Sequence, residues 1–460
     1  MTEDHQPGAD VAEDQPVESS NGIDGTGAAG YGFPGGLWRA LERHPPPGIG
    51  RARAWRSPLR GPWLTSVFGA VLLLMLPLVI VTGLLDYIAY GPQFGQALPV
   101  DVGWLHLPTF DWPTRPSWLF RLTEGLHVGV GLIMIPVVLA KLWSVIPRLF
   151  VWPPAKSVAQ ALERISLLML VGGVLFEIAT GLLNIQYDYV FGFDFYTAHY
   201  YGAWVFIAGF VMHVAIKLPT LVASLRSRSF RAVLKTTRAD TVPEPPDPDR
   251  LVAANPHEAT ISRRGALALV AGGSALVGAL TLGQTIGGFT RQFALLIPRG
   301  RDKGDGPNDF EINRTSTTAG ITSAETGPAW RLSLSGTTSQ TLDRAALLAL
   351  PQHTAVLPIA CVEGWSTTQT WSGVPLGYLA GLAGVPDPHS AHVQSLETRG
   401  SFNQATLQAN QILDPDALLA LRVNGVDLSL DHGFPARIIV PALPGVHNTK
   451  WVRSIDFRGQ

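Results

Sequence analysis

The chain holds a single cysteine, Cys361, among 460 residues. One thiol excludes an internal disulfide, and it excludes cysteine-rich zinc and iron–sulfur sites, which need several thiolates. Three roles stay open for it: an inert buried thiol, a reactive nucleophile, or the one protein thiolate on a metal whose other ligands come from a cofactor. Net charge is also scarce, at a formal −1. No basic surface of the kind nucleic acid needs is apparent, and no nucleic-acid partner is expected. The chain start carries Asp and Glu rather than a basic stretch before an apolar run, so no N-terminal signal peptide is expected.

What is present is unevenly distributed. Residues 1–60 are rich in Gly, Pro, Asp, Glu and then Arg, with little to bury, and are expected to be a disordered cytoplasmic segment. Four apolar runs follow: Leu64–Ile88, Trp118–Trp143, Leu162–Ile185 and Ala198–Leu221. Each has about 20 residues or more, enough to cross a hydrocarbon core of about 30 Å. Four in tandem predict a transmembrane helical bundle over 61–225. A cytoplasmic linker is expected over 226–264, then a weaker, Gly-rich fifth span over 265–290, with its apolar run at Ala266–Phe289. Residues 300–460 alternate short apolar stretches with Gly and Pro, and are long enough for one globular domain.

The flanking charges set an orientation. Arg51, Arg53, Arg56 and Arg60 precede the first span, Arg148 and Lys156 separate spans two and three, and Arg226, Arg228, Arg231 and Lys235 follow span four. The alternate loops and their edges carry Asp86, Asp101, Asp111, Asp188 and Asp194, with Arg115 the exception. By the positive-inside rule the N-terminus is cytoplasmic and residues 300–460 lie outside the cytoplasm, in a multi-pass protein of a bacterial cell membrane surrounded by lipid. Ser262-Arg263-Arg264 before the fifth span reads either as ordinary flanking charge or as an internal twin-arginine export signal.

Histidine is the next informative residue. Ionisable side chains inside spans are rare and usually functional. His127 lies in span two, His199 and His213 in span four. The last two are 14 positions apart, hence within about 40° of one helix face and about 21 Å apart along it. That spacing suits haems stacked across a bilayer, each taking imidazoles from facing helices, against the plainer reading of polar interhelical contacts. Residues 60–225 here resemble the bacterial membrane-bound cytochrome b family that includes the nickel-hydrogenase cytochromes. The resemblance implies a b haem shared by His127 and His199, a second haem at His213, and electron exchange with the quinone pool. Span one has no histidine to complete that second site, and His44 lies upstream in a Pro-rich stretch, so one haem is expected and a second stays open. A haem joining His127 to His213 also stays open.

The C-terminal region is expected to be α+β. Trp330–Gly336, Arg437–Pro441 and Trp451–Phe457 read as strands, and Asp343–Leu350 before Pro351 as a short helix. Its motifs run in order: Cys361-Val-Glu-Gly-Trp-Ser, Trp371-Ser-Gly-Val-Pro-Leu, Leu418–Gly425, His432-Gly-Phe-Pro-Ala-Arg437, Val440–Gly445, and Asn448-Thr-Lys450-Trp451. Residues 305–460 in this order resemble the molybdopterin-binding domain of the sulfite oxidase family, especially its smaller bacterial branch, which includes the periplasmic methionine-sulfoxide reductase catalytic subunit. The resemblance implies molybdopterin with Cys361 as the molybdenum ligand and catalytic centre, Arg437 and Lys450 on the cofactor's phosphate, and His432, Asn308 and Asn313 as further cofactor contacts. Arg314 matches only loosely. Trp365, Trp371 and Tyr378 are expected in the core rather than along a substrate path, and Glu363 as a hydrogen-bonding or surface carboxylate.

The fold class expected is therefore multi-domain: an all-α four-helix transmembrane haem bundle with a fifth transmembrane helix, then an α+β sulfite-oxidase-type molybdopterin domain. The function expected is a molybdenum oxidoreductase transferring an oxo group to or from a small substrate. The rival reading is a haem membrane protein whose C-terminal domain only binds an anion or a partner.

Overall fold

The computed structural model describes residues 55–90, 110–150, 157–185, 195–247, 249, 251–297, 304–398 and 403–459. Most of the N-terminal arm, with His44, Arg51 and Arg53, lies outside the described residues, as do Asp101, Lys156, Asp188 and Asp194. Helix α1 spans Pro62–Tyr90. Helices α2 (Leu119–Ile133) and α3 (Ile135–Leu149) follow with a 40° bend between them. The bend falls where Pro136 enters the first turn of α3, since proline has no amide hydrogen for the preceding turn. The second apolar run is thus two helices, and it continues to Leu149. Helix α4 covers Val158–Asn184, α5 Phe195–Arg226, and α6 Arg263–Ala279. Among the described residues four helices are long and apolar enough to cross a membrane, and five if the bent pair counts as one span. Their outward faces stay apolar: Leu74, Leu168 and Leu269 are 78%, 72% and 70% exposed. A helix in water would bury that face, so these exposed apolar faces are compatible with a membrane protein.

Helix α6 starts at a true N-cap, the Ser262 hydroxyl accepting from the Gly265 amide at 3.1 Å. Arg263 is buried there and donates to the carbonyls of Pro58 and Val242, while Arg264 donates to that of Leu234.

The C-terminal domain packs two five-stranded sheets. One runs β2-β1-β10-β5-β6, from Ser339–Leu342, Leu332–Ser335, Val452–Arg458, Ser390–Ser395 and Gln404–Gln408. The other runs β3-β4-β7-β8, from His353–Ala360, Ser366–Pro375, Leu418–Val423 and Val426–Asp427, with β9 (Arg437–Ile439) also on β7. Strands β1 and β10 pair in parallel. The strands read at 330–336, 437–441 and 451–457 are β1, β9 and β10, and Arg344–Ala349 is the expected short helix, capped by Asp343. Leu334, Val393, Leu419 and Ile455 belong to the buried core of this domain.

That core does not end at the domain boundary. Tyr90, Trp112 and Phe120, from the end of α1 and the approach to α2, belong to the same buried cluster. Trp112 donates its indole N–H to the Ala442 carbonyl at 2.8 Å, and Arg115 pairs with Asp414 at 3.0 Å and Asp416 at 2.6 Å. The C-terminal domain therefore sits on the helix ends opposite those that carry Arg60, Arg148 and Arg226.

Candidate active site and redox centre

Three loops of the C-terminal domain converge on Cys361. The first is the turn Cys361–Trp365 between β3 and β4. The Cys361 amide donates to the Trp365 carbonyl at 2.9 Å and the Gly364 amide to the Cys361 carbonyl at 2.8 Å, which pins the thiol in a buried hairpin end. The second is the short helical turn Leu430–His432 before β9. The third, Ala442–Trp451, is bounded by two non-glycine residues in left-handed backbone, at φ 59° and 51°. Such conformations cost energy and persist where the surroundings fix them. Within this loop the Gly445 amide donates to the Ala360 carbonyl at 2.7 Å, and a side chain at 445 would crowd Ala360 beside Cys361.

The electrostatics of these loops are unusual. Arg437 is buried and Lys450 part-buried, and neither forms an ion pair with a carboxylate among the described residues, although Asp431 and Glu397 act on Lys450 from a distance. Arg437 donates to the carbonyls of His432 and Asn448, both at 3.1 Å; its Nε has no partner, and its guanidinium lies 5.2 Å from the Trp371 ring. Lys450 donates to the carbonyls of Arg314 at 2.7 Å and Asp431 at 2.9 Å. Burial lowers Arg437 to about 9 and holds Lys450 well below the usual lysine range, with Arg437 adding to the effect. The thiol of Cys361 is among the charges that Lys450 senses. A buried cation without an ion-pair partner is costly, so Arg437, with Lys450 beside it, suits a bound anion such as a cofactor phosphate.

His432 stacks on Phe310 at 3.6 Å and donates from Nε2 to the Asn308 carbonyl at 2.9 Å. Burial, with Arg437 and Lys450 nearby, lowers it to about 3, so it stays neutral and adds no third positive charge. The side chain of Asn308 is spent on this loop, bridging the Asp427 carbonyl and the Ser429 amide. That of Asn313 accepts from the Arg314 amide, and Arg314 pairs with Glu397 at 2.7 Å. Asn308 and Asn313 thus shape the walls around His432 and Lys450. Trp371 is fully buried, Trp365 donates to Glu363 at 2.8 Å, and Tyr378 is 40% exposed on a separate helix.

The second site lies between the helices. His127 of α2 and His199 of α5 face each other with ring centroids 6.0 Å apart. Two imidazoles sharing a metal at about 2.0–2.1 Å per bond have centroids about 6 Å apart. His127 donates from Nδ1 to the Val79 carbonyl at 2.9 Å. His199 Nδ1 lies 2.9 Å from the Thr180 hydroxyl and 3.0 Å from a Glu177 carboxylate oxygen. With both Nδ1 atoms engaged, both Nε2 atoms are left to ligate. The space around them is an apolar cavity with about 1370 Å³ of empty volume including its open side, lined by Leu76, Ile80, Leu132 and Phe206 among others. A side chain at Gly83 would strike the His127 ring, and Gly131 opens straight onto empty space. His213 does not line this cavity, so the pairing of His127 with His213 is not the one the fold brings together.

Several residues escaped the sequence reading. Glu177 and Thr180 brace His199, and Asp86 accepts from Thr123 at 2.5 Å within the cavity wall that Glu124 also lines. Acidic residues inside apolar runs were the available signal. His447, buried with its edge toward Tyr90, carried no such signal, because its loop position is fixed only by the fold.

Comparison with known proteins bears on the C-terminal site. Residues 319–460 match the family described as "oxidoreductase molybdopterin binding domain". A sulfite oxidase of Arabidopsis thaliana is 32% identical over 111 residues, 20% of this chain and 28% of that protein. A protein-methionine-sulfoxide reductase catalytic subunit of Gluconobacter oxydans is 29% identical over 148 residues, 28% of this chain and 47% of that protein. A putative protein-methionine-sulfoxide reductase subunit of Azospira oryzae is 34% identical over 133 residues, 27% of this chain and 48% of that protein. The chain thus spans less than half the length of these three relatives. Its C-terminal region is a molybdopterin-binding oxidoreductase domain of the sulfite oxidase and methionine-sulfoxide reductase type.

Proposed function

We propose that this molybdopterin-binding oxidoreductase domain works outside the cytoplasm, anchored by its helical bundle, and exchanges electrons through one b haem with the membrane quinone pool. The observation that carries the reading is the pair of cations Arg437, buried, and Lys450, part-buried, near a buried thiol, neither in an ion pair with a carboxylate among the described residues. When bound, the molybdenum cofactor supplies a two-electron oxo transfer to or from a small substrate. Sulfite and a sulfoxide are the substrate classes that the relatives' names support.

The residues divide the work. Cys361 would be the metal's thiolate ligand; the hydrogen bond its backbone N–H donates to the Trp365 carbonyl holds the turn that carries it. Arg437 and Lys450 hold the cofactor's phosphate by charge-assisted hydrogen bonds, with orientations set by the backbone carbonyls they already contact. His432 stays neutral and, with Nε2 on Asn308, keeps its other ring nitrogen as an acceptor. Glu363, tied to the Trp365 indole, is a structural carboxylate rather than a general base. In the bundle, His127 and His199 are the haem ligands, and Glu177 and Val79 orient their rings. His213 stays outside that cavity, which favours one haem.

The orientation rests on charge. Arg56, Arg60, Arg148, Arg226, Arg228 and Arg231 gather at the helix ends away from the C-terminal domain, the cytoplasmic side by the positive-inside rule. A substrate panel read through haem absorbance tests the whole reading: sulfite that reduces the haem marks an oxidase direction, and methionine sulfoxide that reoxidises reduced haem marks a reductase. Protein with full haem absorbance that takes up no molybdenum on co-expression with the pterin pathway would sink it.

A further inference from the structure

The Cys361 turn does not face solvent. Val362, next to Cys361, lines the same cavity as His127 and His199. Gly364, at φ 84°, lies so close to α2 that a side chain there would come within 2.8 Å of Val128, the neighbour of His127. The thiol loop of one site and the histidine helix of the other are therefore in contact.

A third element holds them together. The turn that follows α6 grips the loop: the Thr285 hydroxyl donates to the Gly364 carbonyl at 2.6 Å, and the Ser366 hydroxyl donates to the Thr285 carbonyl at 2.9 Å. Arg121 of α2 locks the same turn, donating to the Thr285 carbonyl at 2.9 Å and the Ile286 carbonyl at 2.7 Å. Arg291 reaches the Ser366 carbonyl from the far side and pairs with Glu311. On α2, Gly125 and Gly129 are spaced so that the turn fits against them; a methyl at Gly125 would collide with Thr285 Cγ2, and one at Gly129 would meet Leu282.

We propose that the turn Leu282–Thr285 is a clamp that seats the Cys361 loop permanently on α2, making Val362, Gly364 and Val128 a fixed electron junction between the two centres. This rests on the functional reading above. Each crossing oxidises one centre by one electron and reduces the other by one, with no proton or group moving; two crossings match the two-electron change of the substrate, and quinone balances them at the haem. The fifth helix then does more than tether the domain, since its end sets the distance between donor and acceptor. Thr285 and Gly125 are positioning residues.

The test uses the holoprotein in detergent or nanodiscs, mixed rapidly with saturating sulfite, or with methionine sulfoxide after reduction by dithionite, while haem absorbance is followed. The junction predicts a rate independent of added glycerol. It also predicts that Gly125→Ala, whose methyl would collide with Thr285 Cγ2, slows haem reduction or reoxidation severalfold. Haem spectrum and molybdenum content should stay at wild-type levels. Adding Thr285→Ser, which removes the colliding methyl and keeps the hydroxyl, should restore the rate. Thr285→Val, which keeps the shape and loses the hydrogen bond, gives an independent slow variant should Gly125→Ala fold poorly. A wild-type rate that falls in proportion to viscosity, or variants as fast as wild type, would overturn the junction and leave the function standing. Haem that stays silent to both probes in protein holding both cofactors would overturn the function and the junction with it.

Discussion

The two sites in this chain are built on opposite plans. In the bundle, two imidazoles are held by a carbonyl, a hydroxyl and a carboxylate inside an apolar cavity, with glycines leaving the room. In the C-terminal domain, a buried arginine and a part-buried lysine rest against backbone carbonyls near one thiol, with no ion-pair partner among the described residues. On the proposed function, the first arrangement would hold a haem and the second an anionic cofactor. What the difference teaches is that a site's shape and charge identify its occupant better than its residue types do.

If the plans are separable, each can be broken without the other, and this gives the largest effects. Cys361→Ser is expected to lower turnover by about a thousandfold or more while the haem spectrum is unchanged. His199→Leu should remove the haem absorbance and leave molybdenum content intact. Parallel metal analysis and optical spectra check both, and loss of both cofactors in either variant would show that the sites are not independent.

The anion reading of these two cations comes next. Lys450→Met should weaken cofactor retention by about 30- to 150-fold, from the loss of about 2–3 kcal/mol of charge-assisted hydrogen bonding, measured as molybdenum kept after dialysis. The same variant in cofactor-free protein should melt higher than wild type, because the desolvation cost of a part-buried cation without an ion pair has gone.

A smaller effect concerns acid. His432 and His447 are both lowered by burial to about 3, against an ordinary value near 6.5. Unfolding lets them take up protons, so stability of the cofactor-free protein is fully present above about 6.5 and falls as pH drops from there toward about 3. His447→Gln should flatten that decline, followed by thermal melts across the range. An equally steep decline in the variant would remove His447 from the account.

The smallest prediction sharpens the bundle side. Glu177→Gln removes a carboxylate 3.0 Å from His199 Nδ1. Haem midpoint potential should rise by about 60 mV or less, a change of up to about tenfold in the one-electron equilibrium. A fall in potential on redox titration would contradict the assigned role.

The same contrast explains what the sequence made legible. His127 and His199 sit on long apolar runs, which made each a candidate ligand, but their pairing came only from the resemblance to the cytochrome b family, and a pairing of His127 with His213 stayed open. The depth of His213 was equally legible, but which helix faces it was not, and the cavity leaves it out. Cys361, His432 and Lys450 stand on loops and Arg437 opens β9, all spread over some 90 positions. Only the order of their motifs pointed to one another, since it is the pairing of β4, β7 and β9 that brings them together. The break near Pro136 and the clamp at Thr285 were not foreseen, because each depends on contacts between segments far apart in the chain.

The central claim is that one chain holds two redox centres joined electrically. Purified protein carrying about one molybdenum and one haem per chain should show its haem reduced by sulfite, or its reduced haem reoxidised by methionine sulfoxide, in a single mixing experiment that Cys361→Ser abolishes. Haem that responds identically in wild type and Cys361→Ser would contradict it.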